Sequence, residues 1–194
     1  MSNRTLKKDI TENDNAHIDL DAIGKYLDLF NRLFLLENQP PFSTSLRSSV
    51  RVKQQEKRHF CAPSLACALL NATPDRLLGD LNTLGFMFEA LVERDLRIYA
   101  DTFDAKLYHY QDYSNKEIDA VIELPDGQWC AFEVKLGANE IDSAAANLLK
   151  IKKAFEADPK ARPPKVLCVV CGLSSAAYMR PDGVYVVPIT ALRH

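Results

Sequence analysis

Residues 116–135 read KEIDAVIELPDGQWCAFEVK, and this stretch decides the fold expected for the chain. Two apolar runs flank the turn LPDG at 124–127, where Pro at the second position and Gly at the fourth predict a type I turn followed by a left-handed Gly. A loop of this kind joins two antiparallel strands and places a bulge at the Gly. The stretch therefore predicts a β-hairpin in which Leu124 faces Gln128.

Counting back from this turn places four charged residues near one another. Asp119 falls opposite Glu133, and Glu117 falls opposite Lys135. Because side chains alternate along a strand, all four share one face of the hairpin. The other face is apolar and carries Ile118, Ala120, Ile122, Cys130, Phe132 and Val134.

Opposed carboxylates on a partly buried face repel each other, and a divalent cation removes that cost. Mg²⁺ is bound by one or two carboxylates and keeps positions open for phosphate oxygens. The pattern therefore indicates metal-assisted phosphodiester hydrolysis, with Lys135 placing or deprotonating the attacking water. The alternative is an ordinary exposed sheet face on which Lys135 pairs with Glu117 or Glu133.

Strands and helices alternate around this hairpin. KLYHYQD before the hairpin, and VLCVVCG and GVYVVPITAL after it, are predicted to be strands. The segment EIDSAAANLLKIKKAFEA predicts a helix, as does the segment that starts at Pro74, which Gly79 and Gly85 either interrupt or divide into two helices. Glu89 lies at the edge of the apolar side of that earlier helix. This order predicts an α/β fold with a central mixed sheet flanked by helices.

The N-terminal part divides into a polar tail and a small annex. Residues 1–16 are polar and are expected to form a disordered tail. Residues 17–58 are expected to form a helical annex with a basic linker, and residues 59–194 the α/β domain. The annex helix, of about 15 residues, begins after Asp19 or Asp21 and has an apolar side of Ile23, Leu27, Phe30 and Phe34.

A basic segment, LRSSVRVKQQEKR at 46–58, closes the annex. Its cations are Arg47, Arg51, Lys53, Lys57 and Arg58. Such a run either follows a phosphate backbone or forms a solvated linker. The net charge of the whole chain is −2, so an anionic partner has to meet a local patch of this kind.

The composition predicts a soluble cytoplasmic protein. No apolar run approaches the roughly 20 residues that span a bilayer, and MSNRTLKKDITENDNAH lacks the apolar core of a signal peptide. No membrane partner is therefore expected.

The five cysteines are odd in number, which disfavours a disulfide framework. Cys168 and Cys171 lie three apart in a predicted strand, so their thiols point to opposite faces and are expected to be structural. The histidines, at 17, 59, 109 and 194, show no metal-ligand spacing. A zinc or redox protein is therefore the least favoured hypothesis.

Asp119, then Glu133-Val134-Lys135 after a hairpin, with Glu89 on a preceding helix, resembles the PD-(D/E)xK family with a restriction-endonuclease-like fold. The resemblance implies that Glu89, Asp119 and Glu133 bind Mg²⁺ or Mn²⁺ and that Lys135 is the catalytic lysine, acting with Asp119 and Glu133. Glu117 is expected to support this site by tuning Lys135.

A second resemblance covers most of the chain. RHFCAPSLACALL, GFMFEALVERDLRIYA, YHYQDYSNKEIDAVIE, WCAFEVKLG and YVVPITAL are similar to the uncharacterised, nuclease-like C-terminal domain of bacterial AAA-type ATP-binding proteins. In those proteins a winged-helix-like segment precedes this domain, as IDLDAIGKYLDLFNRLFLLE does here. The resemblance implies a metal-dependent nuclease-like domain that acts on or binds DNA. The alternative is an inactive regulatory module that docks on an ATPase subunit or self-associates.

Two departures qualify the resemblance. The chain contains no G-x-x-x-x-G-K-[ST], so no ATP site is expected in it, and a fragment or a stand-alone copy of the C-terminal half is expected. Ala62 stands where the related sequences carry Asp, which predicts either a weaker metal site or the loss of about 1 kcal/mol of helix capping.

Overall fold

The computed structural model describes residues 2–14, 16–44, 55–112 and 116–192. The helices are α1 (Asn3–Asp14), α2 (Leu20–Arg32), α3 (Pro63–Leu69), α4 (Pro74–Gly79), α5 (Leu81–Asp101) and α6 (Ile141–Glu156). The strands are β1 (Leu36–Gln39), β2 (Lys57–Phe60), β3 (Lys106–Gln111), β4 (Glu117–Glu123), β5 (Trp129–Lys135), β6 (Val166–Cys171), β7 (Tyr178–Met179) and β8 (Tyr185–Pro188).

A mixed sheet of six strands, in the order β3-β4-β5-β6-β8-β7, forms the centre of the fold. Strands β3, β4 and β5 are antiparallel neighbours, whereas β5, β6 and β8 run parallel. Helix α5 packs Phe88, Val92 and Leu96 on one face of the sheet, and α6 packs Leu148 and Ile151 on the other. The predicted α/β fold with a central mixed sheet flanked by helices is confirmed.

The hairpin register predicted from the turn is also confirmed. Ala120 pairs with Phe132, and the ladder continues to Glu123 and Trp129 at the turn. The Leu124 N–H donates to the carbonyl of Gln128 at 2.8 Å. Gly127 has a φ of 77°, the left-handed conformation that this turn requires.

The prediction that one hairpin face is apolar and the other charged is wrong in its detail. A β-bulge leaves Asp119 and Ala120 together opposite His109, because Tyr108 pairs with Val121 and Tyr110 with Ile118. The extra residue shifts the alternation, so Ile118 joins Val121 in the core beneath α6. That core also contains Trp129 and Ala131, which share the alternation of Glu133. Both faces are therefore covered, and the charged residues lie only at one end of the hairpin.

Residues 3–14 form helix α1, and the predicted disordered tail is wrong for this segment. No side chain of α1 is buried, so its polar composition reflects solvent exposure rather than disorder. Helix α2 begins as predicted after Asp19, whose carboxylate accepts from the Ala22 N–H at 2.6 Å. Only Ile23 of α2 is buried, whereas Phe34 lies beyond the helix and is 83% exposed.

The annex is not purely helical, since β1 and β2 form a separate two-stranded antiparallel sheet. The predicted domain boundary after residue 58 lies within β2. Directly after β1, the chain attaches to the edge of the central sheet, where Phe42 N donates to the His109 carbonyl at 2.6 Å and His109 N donates to the Pro40 carbonyl at 3.0 Å. Buried Gln39 adds side-chain bonds to the carbonyls of Tyr108 and Asp119, at 2.9 and 3.2 Å.

The segment after Pro74 forms two helices, and Asp80 begins the second by accepting from the Thr83 N–H at 3.2 Å. Ala62 precedes α3, and its side chain makes no capping hydrogen bond there. Cys168 and Cys171 are buried against opposite faces of the sheet, as predicted. Burial raises the pKa of the Cys168 thiol to about 12, as expected for a structural cysteine.

Candidate functional site

Asp119 occupies the bulge where the ladder between β4 and β5 ends. Its Oδ2 accepts a hydrogen bond of 2.8 Å from the Val134 N–H, so the carboxylate replaces a backbone partner at the point where the strands stop pairing. The same oxygen lies 3.7 Å from Lys135 Nζ. The bulge and this bond together direct Asp119 toward the end of β5.

Glu133 is 5% exposed and is held on both of its oxygens. Oε1 accepts a hydrogen bond of 2.7 Å from Asn147 Nδ2 on α6, and Oε2 lies 3.1 Å from Lys135 Nζ. Burial, together with the negative charge of Asp119, raises the pKa of Glu133 to about 7, although Lys135 and Asn147 oppose the rise. A buried carboxylate beside another one favours a proton or an added cation.

Lys135 is charged despite partial burial. Burial alone lowers the pKa of an ammonium group, but the charges of Asp119 and Glu133 outweigh it, and the pKa of Lys135 is raised. The Lys135 side chain thus lies between the two carboxylates that the hairpin brings together.

Glu89 reaches this cluster through Lys57 on β2. Lys57 Nζ forms an ion pair with Glu89 Oε1, lies 3.4 Å from Glu93 Oε1, and lies 4.0 Å from Asp119 Oδ1. Burial alone would lower the pKa of Lys57, but the carboxylates of Glu93, Glu89 and Asp119 outweigh it and raise the pKa. Lys57 therefore offsets the negative charge that α5 and the bulge gather.

Of the four residues predicted to form the site, Lys135 contacts both Asp119 and Glu133, whereas Glu89 is connected to Asp119 through Lys57 and lines one cleft with Lys135. Glu117 lies outside the group, since its side chain is exposed and accepts from Gln111 Nε2 across the neighbouring strand. In the described part of the chain, the ion-pair partners of Lys135 are Asp119 and Glu133.

Two clefts border the cluster. One, of ≈ 470 Å³, is lined by Glu89, Lys135 and the following residues Leu136 and Gly137. The other, of ≈ 280 Å³, is lined by Lys57, Asp119 and Glu117 among others. The Lys57–Glu89 ion pair joins one residue from each cleft. Both clefts give a ligand access to carboxylates of the cluster.

Sequence reasoning missed three participants. Lys57 was assigned to a basic linker, and neither His59 nor Glu93 was assigned to a site. The available signals were the two-residue spacing of Lys57 and His59 on a strand, and the four-residue spacing of Glu89 and Glu93 on a helix.

The predicted contact of the basic segment with phosphate stays a prediction. Arg47, Arg51 and Lys53 lie outside the described residues. Arg58 Nη2 donates to Asn3 Oδ1 at 2.8 Å, which ties β2 to α1. Within the described ranges, no helix combines the length and the apolar character that a bilayer span requires.

Comparison with known proteins gives two family matches. The model of a domain of unknown function, DUF8612, matches residues 1–76, and that of a second domain of unknown function, DUF4143, matches residues 84–192. No curated protein and no solved structure matches the chain. Because the second match spans more than half of the sequence and includes all four clustered residues, the chain belongs to the DUF4143 family.

Proposed function

We propose that this protein is a metal-dependent nuclease-like domain that acts on the phosphodiester backbone of DNA. The observation that carries the proposal is buried Glu133, held with Asp119 around Lys135 at the end of β5. Glu89, Asp119 and Glu133 bind Mg²⁺ or Mn²⁺ in this proposal.

The donor chemistry suits such an ion. All three residues offer carboxylate oxygens, the ligands that hard divalent cations prefer. The pKa of about 7 at Glu133 reflects burial of the carboxyl and the nearby charge of Asp119, and a bound cation offsets both. When bound, the ion supplies Lewis-acid activation of water and of the phosphate.

Lys135 has the catalytic role in this proposal. Its ammonium group lies at the end of β5 and borders the cleft of ≈ 470 Å³. From there it orients the water that attacks phosphorus, or stabilises charge on the phosphate, while the bond to the leaving oxygen breaks. The products are one phosphate end and one hydroxyl end.

The order of elements supports the restriction-endonuclease-like assignment. A helix (α5), an antiparallel three-stranded unit (β3, β4 and β5), a helix (α6) and a parallel strand (β6) follow one another. This order puts Glu89 on the helix before the unit, Asp119 on its second strand, and Glu133 and Lys135 on its third, as the PD-(D/E)xK resemblance implies.

Cleavage of DNA tests the proposal. Wild type, Lys135→Ala and the control Lys106→Ala, which removes an exposed lysine from β3, are incubated with single- and double-stranded DNA, with and without Mn²⁺. We expect Mn²⁺-dependent cleavage by wild type and by the control, reduced at least about 100-fold by Lys135→Ala. Cleavage that survives Lys135→Ala contradicts the assigned role.

The second candidate is an inactive regulatory module that docks on a partner such as an ATPase subunit. It is favoured by exposed apolar side chains, namely Tyr26, Leu29 and Phe30 of α2 and Leu33 directly after it. The internal cation Lys57 also favours it, because it already offsets the charge of the site.

Light scattering of the purified chain tests this candidate. We expect the wild type to self-associate, Leu29→Glu to abolish this, and the control Lys25→Glu to preserve it. Both substitutions change the charge of α2, but only Leu29→Glu removes apolar surface. A monomer at all concentrations, together with metal-dependent cleavage, excludes it.

A further inference from the structure

A second group of possible metal ligands lies beside the proposed nuclease site. His59 on β2 and Glu89 and Glu93 on α5 each offer one ligand atom, and these three atoms lie within 4.8 Å of one another. Imidazole nitrogen and carboxylate oxygen together form a donor set suited to first-row transition metals.

Local structure explains why these residues meet. Glu89 and Glu93 are one turn apart on α5, so their side chains project from the same side of the helix. Lys57 and His59 are two apart on β2, so they share one face of that strand. The face of β2 therefore places one cation and one imidazole against two carboxylates.

Glu93 is the most deeply buried of the three, with 2% of its surface exposed. Its Oε2 lies in close contact with His59 Nε2, which makes the two groups an ion pair when the imidazole is protonated. Neither atom has another hydrogen-bond partner among the described residues. A buried carboxylate oxygen and a buried ring nitrogen therefore converge on each other, with Glu89 beside them, and a metal ion is a species that all three can bind.

Lys57 lies near only the other oxygen of the Glu93 carboxylate. Its ammonium group lies 3.4 Å from Glu93 Oε1 and pairs with Glu89, whereas Oε2 is the oxygen that faces His59. Burial raises the pKa of Glu93 despite the opposing effects of His59 and Lys57. The available cation thus leaves the carboxylate incompletely compensated.

We propose that His59, Glu89 and Glu93 form a binding site for a divalent transition-metal ion of the Zn²⁺ and Co²⁺ class. The ion binds His59 Nε2 and Glu93 Oε2, and it competes with Lys57 for Glu89. The site shares Glu89 with the proposed nuclease site but does not depend on that function, because its donor set includes a nitrogen and excludes Asp119 and Glu133.

Titration of the untagged full chain with Co²⁺, followed by visible absorption and calorimetry, tests this site. We expect d–d bands typical of nitrogen and oxygen ligands, and at least about tenfold weaker binding in His59→Gln. The control His17→Gln, at an exposed position, binds Co²⁺ as wild type does. Lys57→Met tightens binding about threefold or more, because it removes a competing cation.

The proposal is overturned if wild type does not bind Co²⁺, or if His59→Gln binds it unchanged. Should His59→Gln fail to fold, NMR of wild type decides the matter: Zn²⁺ must shift the imidazole nitrogens of His59 and leave those of His17 unchanged. Glu133→Gln separates the two proposals, since it should abolish Mg²⁺ binding and preserve Co²⁺ binding. If Glu133→Gln loses the binding of both metals, or of neither, the two sites are not separate.

Discussion

Asp119 Oδ2 accepts the backbone N–H of Val134 at 2.8 Å, so a side chain of β4 holds β5 at the point where their ladder ends. This bond gives Asp119 a structural role in addition to the role proposed at the metal site. The carboxylate lies near two ammonium groups, 3.7 Å from Lys135 Nζ and 4.0 Å from Lys57 Nζ. Asp119 therefore connects the two cations of the cluster.

Substitutions at Asp119 separate these two roles. Asp119→Asn retains an oxygen acceptor for the Val134 N–H, whereas Asp119→Ala leaves that N–H unpaired. We expect Asp119→Ala to be less stable than Asp119→Asn by about 1–3 kcal/mol in urea denaturation. Both variants should lose the rise in melting temperature that Mg²⁺ gives the wild type. Equal stabilities would show that the hydrogen bond contributes little.

Glu133 makes stability depend on pH. Its pKa is raised to about 7 in the folded chain, so the protonated carboxyl is the form that the fold favours. The stability that this form gives is fully present below about pH 4.5 and is lost as the pH rises through 7. Glu133→Gln mimics the protonated form. We expect the variant to match wild type near pH 4.5 and to exceed its unfolding free energy by about 1–3 kcal/mol at pH 8.

Denaturation of both proteins across this pH range measures the difference, with Glu156→Gln on α6 as a control for an exposed carboxylate. A stability difference that is independent of pH would contradict the raised pKa of Glu133.

Lys57 is expected to stabilise the buried carboxylate of Glu93. Lys57→Met removes the ammonium group that lies near Glu93, and we expect it to lower the free energy of unfolding by about 3 kcal/mol at pH 8. Because burial raises the pKa of Glu93, its carboxyl is protonated more readily as the pH falls, and the loss of stability should be smaller at pH 5 than at pH 8. Urea denaturation at both pH values measures this. Lys106→Met, at an exposed strand position, should cost little at either pH.

Gln39 is expected to anchor the annex to the bulge. It is fully buried, and its side chain donates to the carbonyls of Tyr108 and Asp119. Gln39→Leu leaves these carbonyls without that donor and should lower the free energy of unfolding by about 1–3 kcal/mol. Hydrogen exchange should also become faster in β3. The control is Gln55→Ala, at an exposed position. If Gln39→Leu is as stable as this control, Gln39 does not anchor the annex.

The hairpin was predictable because its determinants are local. The turn at 124–127 sets the register by chain geometry, so the positions of Asp119, Glu133 and Lys135 followed from counting. The bulge was not predictable, because it depends on how β4 pairs with β3 around His109.

The contacts of the annex depend on packing between distant segments. Lys57 meets Glu89 from 32 residues away, and neither sequence position indicates the other. The helical periodicity of α5 placed Glu89 at the margin of an apolar face, but only the position of β2 decides which cation it meets. Likewise, the spacing of the histidines did not indicate His59, because its candidate co-ligands are carboxylates on another element.

Calorimetric titration of wild type and Asp119→Asn with Mg²⁺ at pH 8 tests the proposed metal site most directly. Mg²⁺ prefers oxygen ligands, so the titration reports on the carboxylates of Glu89, Asp119 and Glu133 rather than on His59. We expect wild type to bind Mg²⁺ below millimolar concentration and Asp119→Asn to lose this binding. Absence of binding by folded wild type at millimolar Mg²⁺, or unchanged binding by Asp119→Asn, would contradict the proposed site.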